Sequence, residues 1–154
     1  SFDEAMKNLK ELKLRDLLDE LVLEQKIPIL GICLGMQLLT NSSEEGKLPG
    51  LGWIEATTKR FYLPKEFKIP HMGWNYVKEN SKSKLTSGLK ENSRFYFVHS
   101  YYVEANNPKE SSLKTTHYQE FDSAIEKDNI YGVQFHPEKS HKFGMRLLSN
   151  FSKV

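Results

Sequence analysis

The sequence holds one cysteine, Cys33, in the middle of the run Gly31-Ile-Cys-Leu-Gly35. A strand that turns sharply into a helix holds its middle residue in a strained backbone conformation, and glycines on either side permit close approach. Cys33 is then presented outward as a nucleophile. At the start of a helix its thiol faces the positive end of the dipole, which predicts a lowered pKa and more reactive thiolate. The backbone N–H of Leu34 faces the same space, where it can hold the oxygen of a tetrahedral intermediate. A lone cysteine also reads as a small buried hydrophobe. The flanking glycines and the strand-to-helix context weigh toward chemistry.

A thiolate attacking an amide needs a proton donor for the departing nitrogen, and histidine is the usual general acid near neutral pH. Of five histidines, His71, His99, His117 and His141 fit ordinary surface or partly buried positions in mixed segments. His136 ends the apolar run Tyr131–Phe135 and is followed by Pro137 and Glu138. That places it at a strand's carboxyl end, where open α/β sheets build their sites. Glu138, two residues on, is within reach to orient the imidazole and stabilise its protonated form.

These groups need a scaffold. With 154 residues, 38% hydrophobic and 27% charged, the chain has the length of one domain and the balance of a globular fold. Its 22 basic and 20 acidic residues give a net charge of +2 without clustering, so no nucleic-acid footprint is present. A single cysteine forms no internal disulfide, and no apolar run approaches the roughly 20 residues that cross a bilayer. A reducing cytoplasm is the expected compartment. No tight His/Cys/Asp/Glu cluster marks a metal site, and the proposed chemistry requires no cofactor.

Ser1 and Glu4 have capping-box spacing, and Ala5, Leu9 and Leu12 recur at helical intervals. Leu17, Leu18, Leu21 and Val22 mark one face of a second helical stretch. Ile27 to Ile32 reads as a strand covered on both faces, and Met36 to Leu39 resumes a helix. Beyond Asn41, strands are expected near Gly52–Phe61, Trp74–Lys78, Arg94–Glu104, Leu113–Tyr118, Ser123–Lys127 and Ile130–Phe135. The last helix, from Lys139 to Phe151, carries Phe143, Leu147 and Phe151 at i, i+4 and i+8. The order is α/β.

The run Pro28-Ile-Leu-Gly-Ile-Cys-Leu-Gly-Met-Gln37, together with Gln134-Phe-His-Pro-Glu-Lys-Ser140, closely resembles the triad-type (class I) glutamine amidotransferases. Pro70-His-Met-Gly-Trp-Asn75 and Phe95-Tyr-Phe-Val-His-Ser-Tyr101 are similar to one branch of that family, the glutaminase subunit of imidazole glycerol phosphate synthase in histidine biosynthesis. The resemblance implies a flavodoxin-like layered sheet with helices on both faces. It implies that Cys33 attacks the side-chain amide of glutamine, that His136 shuttles protons with Glu138 behind it, and that water releases glutamate from a thioester. By the same resemblance Gly35, Gln37, Ser100 and Tyr101 contact glutamine, the last two largely through backbone. Gln37 also reads as an ordinary polar residue of a helix, and Ser100 and Tyr101 as plain strand residues.

Trp74, Asn75, Tyr96 and Lys139 match positions that face the synthase partner, which the resemblance implies is a (β/α)₈ barrel receiving the ammonia. A buried Trp74 would instead be simple core. The family normally carries further strands before the nucleophile and a Pro-Gly-x-Gly-Ser-Phe loop that adds to the oxyanion hole; Ser1-Phe2 resembles its tail, so an N-terminal segment is expected to be absent here. Competing readings are a glutaminase serving a sugar-amidating enzyme, a hydrolase on the same scaffold, and a non-catalytic binding subunit.

Overall fold

The computed structural model describes residues 1–154. Helix α1 spans Phe2–Glu11 and α2 spans Arg15–Asp19, continued by a π turn over Glu20–Glu24. Strand β1 (Ile29–Ile32) leads directly through Cys33 into α3 (Leu34–Leu38). Then come β2 (Ser42–Ser43), β3 (Ala56–Arg60), β4 (His71–Tyr76), β5 (Lys78–Glu79), β6 (Arg94–His99) and β7 (Tyr101–Ala105). The chain ends with β8 (Ser111–His117), β9 (Gln119–Lys127), β10 (Ile130–Val133), a 3₁₀ turn over Pro137–Lys139 and α4 (His141–Phe151).

The main sheet runs β1-β10-β9-β7-β3-β2, with β8 paired to β9 and β5 to β8; β4 and β6 form a separate two-stranded sheet. The β1–β10 and β2–β3 pairs are parallel and the remaining ladders antiparallel. Side chains alternate across a strand, and this period divides the core in two. Ile125 and Ile130 join Phe2, Met6, Met36 and Leu39 under α1 and α3, whereas Ala124, Tyr131 and Val133 join Phe95, Phe97, Phe135 and Leu147 under α4. Helices therefore cover both faces, as the sequence predicts.

Local details differ from the sequence reading. The Ser1 side chain makes no cap hydrogen bond. The buried stripe of α1 is Phe2 and Met6, with Leu9 packed beside them, while Leu12 is exposed. In the second stretch Val22 is buried and Leu17 is exposed. The expected strand over Arg94–Glu104 is broken at Ser100 into β6 and β7, which belong to different sheets.

Glycine sets two close approaches. A Cβ on Gly132 would lie 2.8 Å from Met36 Cγ, so its absence lets α3 settle on β10. A Cβ on Gly144 would lie 1.8 Å from the Pro137 carbonyl oxygen, so α4 packs directly onto the turn that follows His136. Gly144→Ala must push this helix and turn apart. The expected cost is about 1–3 kcal/mol, read as a Tm lowered by several degrees in calorimetry.

Candidate active site

β1 and β10 lie side by side in parallel register, with Ile32 opposite Val133, and the N–H of Cys33 donates to the Val133 carbonyl at 2.8 Å. Parallel neighbours are about 4.8 Å apart. Cys33 and the segment Gln134–His136 therefore leave the same end of the sheet together. His136 is fixed in turn by its N–H, which donates to the Tyr96 carbonyl at 2.9 Å, and by Phe95 and Phe135, whose rings stack 3.9 Å apart.

Cys33 has φ 53° and ψ −108°, a left-handed conformation unusual for a residue with a side chain. Gly31 makes the turn possible, since a Cβ there would lie 2.6 Å from the carbonyl carbon of Gly35. Gly35 has another character: a Cβ at that position would meet nothing within 4 Å, so its bare face opens on free space.

The thiol pKa is raised, opposite to the sequence expectation. Burial of the sulfur is the largest cause; the Leu34 N–H pulls the other way, the Glu138 carboxylate adds to the rise, and Gln134 and Lys139 oppose it. Desolvation thus outweighs the Leu34 N–H at the start of the five-residue α3. The thiol donates toward the Val98 carbonyl at 3.9 Å and accepts from Gln134 Nε2 at 3.7 Å; no hydrogen bond joins it to the imidazole.

His136 Nδ1 pairs with Glu138 Oε1 at 2.5 Å. With Nδ1 donating to the carboxylate, Nε2 is left as the working nitrogen. The imidazole is largely buried, with 19% of the side chain exposed, while the carboxylate is half exposed.

A cleft of about 390 Å³ opens beside the sulfur, lined by Cys33, Leu34, Gln37, Ser100 and Tyr101 among others. The cleft thus gathers Cys33, Leu34 and three of the four residues expected to touch glutamine. A larger basin of about 770 Å³, bordered by Lys82, Lys84, Arg146 and Lys153, lies away from the thiol.

Of the residues expected at a partner face, Trp74 is 44% exposed rather than core. It stacks on His141 with ring centroids 5.6 Å apart, meets Tyr96 edge-on at 6.3 Å, and lies under the Arg94 guanidinium. Lys139 is exposed beside Glu138. Asn75 is spent within the chain: its amide donates to the Thr116 carbonyl at 2.9 Å and contacts His71 Nε2 at 3.0 Å, and its oxygen accepts from the Tyr76 N–H.

Sequence reasoning passed over His71 and His99 as ordinary positions. Both are buried and face each other across the β4–β6 ladder, with Nδ1 of His71 2.8 Å from Nε2 of His99. Burial pushes His71 down to about 4 and His99 down to about 3, so both are neutral near pH 7. Their signal is a shared register, which only the strand pairing reveals.

The strained backbone at Cys33 yields a test of the turn itself. Cys33→Gly relieves the positive φ and Cys33→Ala does not. The glycine variant is expected to be more stable than the alanine variant by about 1 kcal/mol, measured by denaturant unfolding.

The family model for the class-I glutamine amidotransferases matches residues 8–154. The imidazole glycerol phosphate synthase subunit HisH 2 of Methanococcus maripaludis is 64% identical over 153 residues, covering 99% of this chain and 76% of that protein. The subunit HisH of Bdellovibrio bacteriovorus is 50% identical, covering 100% of this chain and 77% of that protein. Among solved structures, the glutaminase domain of the Trypanosoma brucei protein CTPS superposes with a TM-score of 0.59 at 20% identity, over 90% of this chain and 65% of that one. A glutamine amidotransferase from Thermotoga maritima gives 0.58 at 21% identity, over 96% of this chain and 56% of that one. The chain belongs to the class-I glutamine amidotransferases.

Proposed function

We propose that this protein hydrolyses the side-chain amide of glutamine to glutamate and ammonia, and passes the ammonia to a synthase (cyclase) subunit that makes imidazole glycerol phosphate in histidine biosynthesis. The observation that carries the chemistry is the strained Cys33 turn emerging beside the His136–Glu138 pair at one end of two parallel strands. The identity to subunits of imidazole glycerol phosphate synthase supports the acceptor.

Because burial keeps the thiol protonated near neutral pH, the reaction must remove that proton as the bond forms. Cys33 turns from Val98 toward His136, whose Nε2 takes the proton while the sulfur attacks the amide carbon; such contacts tighten when substrate binds. The carbonyl oxygen becomes an oxyanion facing the Leu34 N–H. His136 then gives its proton to the leaving nitrogen, and the C–N bond breaks to release ammonia and leave a thioester on Cys33. Water, losing a proton to His136, attacks the thioester; its collapse returns the proton to sulfur and frees glutamate. Glu138 holds the imidazole by Nδ1 and stabilises its charge in both halves.

Gly35 offers the substrate room, and Gln37, Ser100 and Tyr101 border the cleft where the amino-acid end of glutamine fits. Trp74, Tyr96 and Lys139 form the face offered to the synthase subunit, with Trp74 as its aromatic anchor. This face adjoins the turn bearing His136 and Glu138, so ammonia leaves toward the partner rather than into open water.

With the synthase subunit present, glutamate release is expected to vanish in Cys33→Ala. In His136→Asn, kcat should fall roughly 10²–10⁴-fold with KM little changed. Unchanged glutamate release in Cys33→Ala removes the reading.

A further inference from the structure

A continuous line of polar side chains runs from the two-stranded sheet to the sulfur. Asn75 Nδ2 meets His71 Nε2 at 3.0 Å, His71 Nδ1 meets His99 Nε2 at 2.8 Å, and His99 Nδ1 meets the Tyr101 carbonyl oxygen at 2.7 Å. The same oxygen accepts from Gln37 Nε2 at 3.3 Å. Gln37 Nε2 also donates to Gln134 Oε1 at 3.1 Å, and Gln134 Nε2 lies 3.7 Å from Cys33 Sγ.

The directions along this line follow from one atom. A backbone carbonyl only accepts, so His99 Nδ1 carries a hydrogen. A neutral imidazole has one N–H, which makes His99 Nε2 an acceptor and obliges His71 Nδ1 to donate. His71 Nε2 then accepts from Asn75. On the other arm, both hydrogens of the Gln37 amide are committed, to Tyr101 and to Gln134. Its Oε1 makes no hydrogen bond within the chain and is not among the fully buried atoms left without one, so it is free to meet a molecule in the cleft that Gln37 borders. Gln134, accepting at Oε1, turns its NH₂ to the sulfur. Reversing any single link would set donor against donor or acceptor against acceptor inside the protein, which is costly. The buried side-chain atoms left without a partner, in Glu110, Ser112 and Asn129, all lie elsewhere.

We propose that His99, held by His71, is a positioning residue for the reaction at Cys33: it clamps the Tyr101 carbonyl and, through Gln37 and Gln134, fixes an N–H donor on the sulfur while leaving the Gln37 oxygen to the substrate. The reaction named here rests on the glutaminase reading; the geometry at the thiol does not. A donor aimed at the sulfur favours thiolate, together with the Leu34 N–H and Lys139, against burial and Glu138. Without the clamp, the Tyr101 peptide and both amides lose their common reference.

Cys33 is the only cysteine of the chain, so its alkylation by iodoacetamide reports on one thiol. The rate is measured against pH for the whole chain, for His99→Phe, and for His99→Gln, whose amide both donates and accepts. Circular dichroism confirms folding, and glutamine hydrolysis with the synthase subunit is assayed in parallel. His99→Phe is expected to move the alkylation midpoint upward by roughly 0.5–1 pH unit and to lower kcat/KM about tenfold; His99→Gln should recover much of both. Should His99→Phe not fold, Gln37→Met cuts the line at the next link, with the same upward shift expected. A folded His99→Phe, or in its place a folded Gln37→Met, with the alkylation profile of the unaltered chain overturns the proposal. A shifted profile in a protein that never cleaves glutamine overturns the glutaminase reading and leaves the positioning of the thiol standing.

Discussion

The structure depends on one pairing, the parallel contact of β1 with β10. These strands are separated by about a hundred residues in sequence, yet their register sets Ile32 against Val133 and bonds Cys33 to the Val133 carbonyl. The proposed catalytic residues sit just past that contact. The helix that follows β1 carries Leu34, Gly35 and Gln37; the segment that follows β10 carries Gln134, His136 and Glu138. A one-residue slip would turn every side chain to the other face and separate the thiol from the imidazole. The two apolar clusters on opposite faces of the sheet oppose such a slip, because Ile130 and Tyr131 are buried in different cores.

Around this contact the protein balances burial against reactivity. The sulfur is sheltered enough for its thiol to hold its proton, which protects a cysteine from idle reaction. In the proposed reaction activation falls to His136, whose ring Glu138 holds by Nδ1. Polar groups inside are paired in fixed directions, so the site is organised before substrate arrives, the condition under which dipoles contribute most to catalysis. The hairpin face with Trp74 touches this organisation twice, through the Tyr96–His136 backbone bond and through Asn75.

The parts legible in the sequence are those whose chemistry is local. Gly31 to Gly35 announces the turn because close packing there tolerates no Cβ at Gly31, and His136-Pro-Glu138 keeps its partners two residues apart. The α4 stripe appears because Leu147 and its neighbours repeat with the helix. What could not be read is tertiary. Burial, not the helix start, sets the thiol's proton affinity, and no spacing reveals burial. His71 and His99 meet only through cross-strand register. The Arg94–Glu104 run looks like one strand because nothing in its composition marks Ser100 as the point where the chain changes sheets. The buried face of α1 is offset from the one its spacing suggests, since the core admits Phe2 and Met6 and leaves Leu12 exposed.

In the proposed reaction, this meeting of two distant segments makes Cys33 Sγ the atom that glutamine acylates. The most direct measurement is the mass-spectrometric location of a covalent label from a chloroketone analogue of glutamine, with and without excess glutamine. One label per chain is expected, on Cys33 and suppressed by glutamine, if Cys33 is the acylated residue. A label carried by another residue, or labelling of Cys33 that glutamine does not slow, contradicts it.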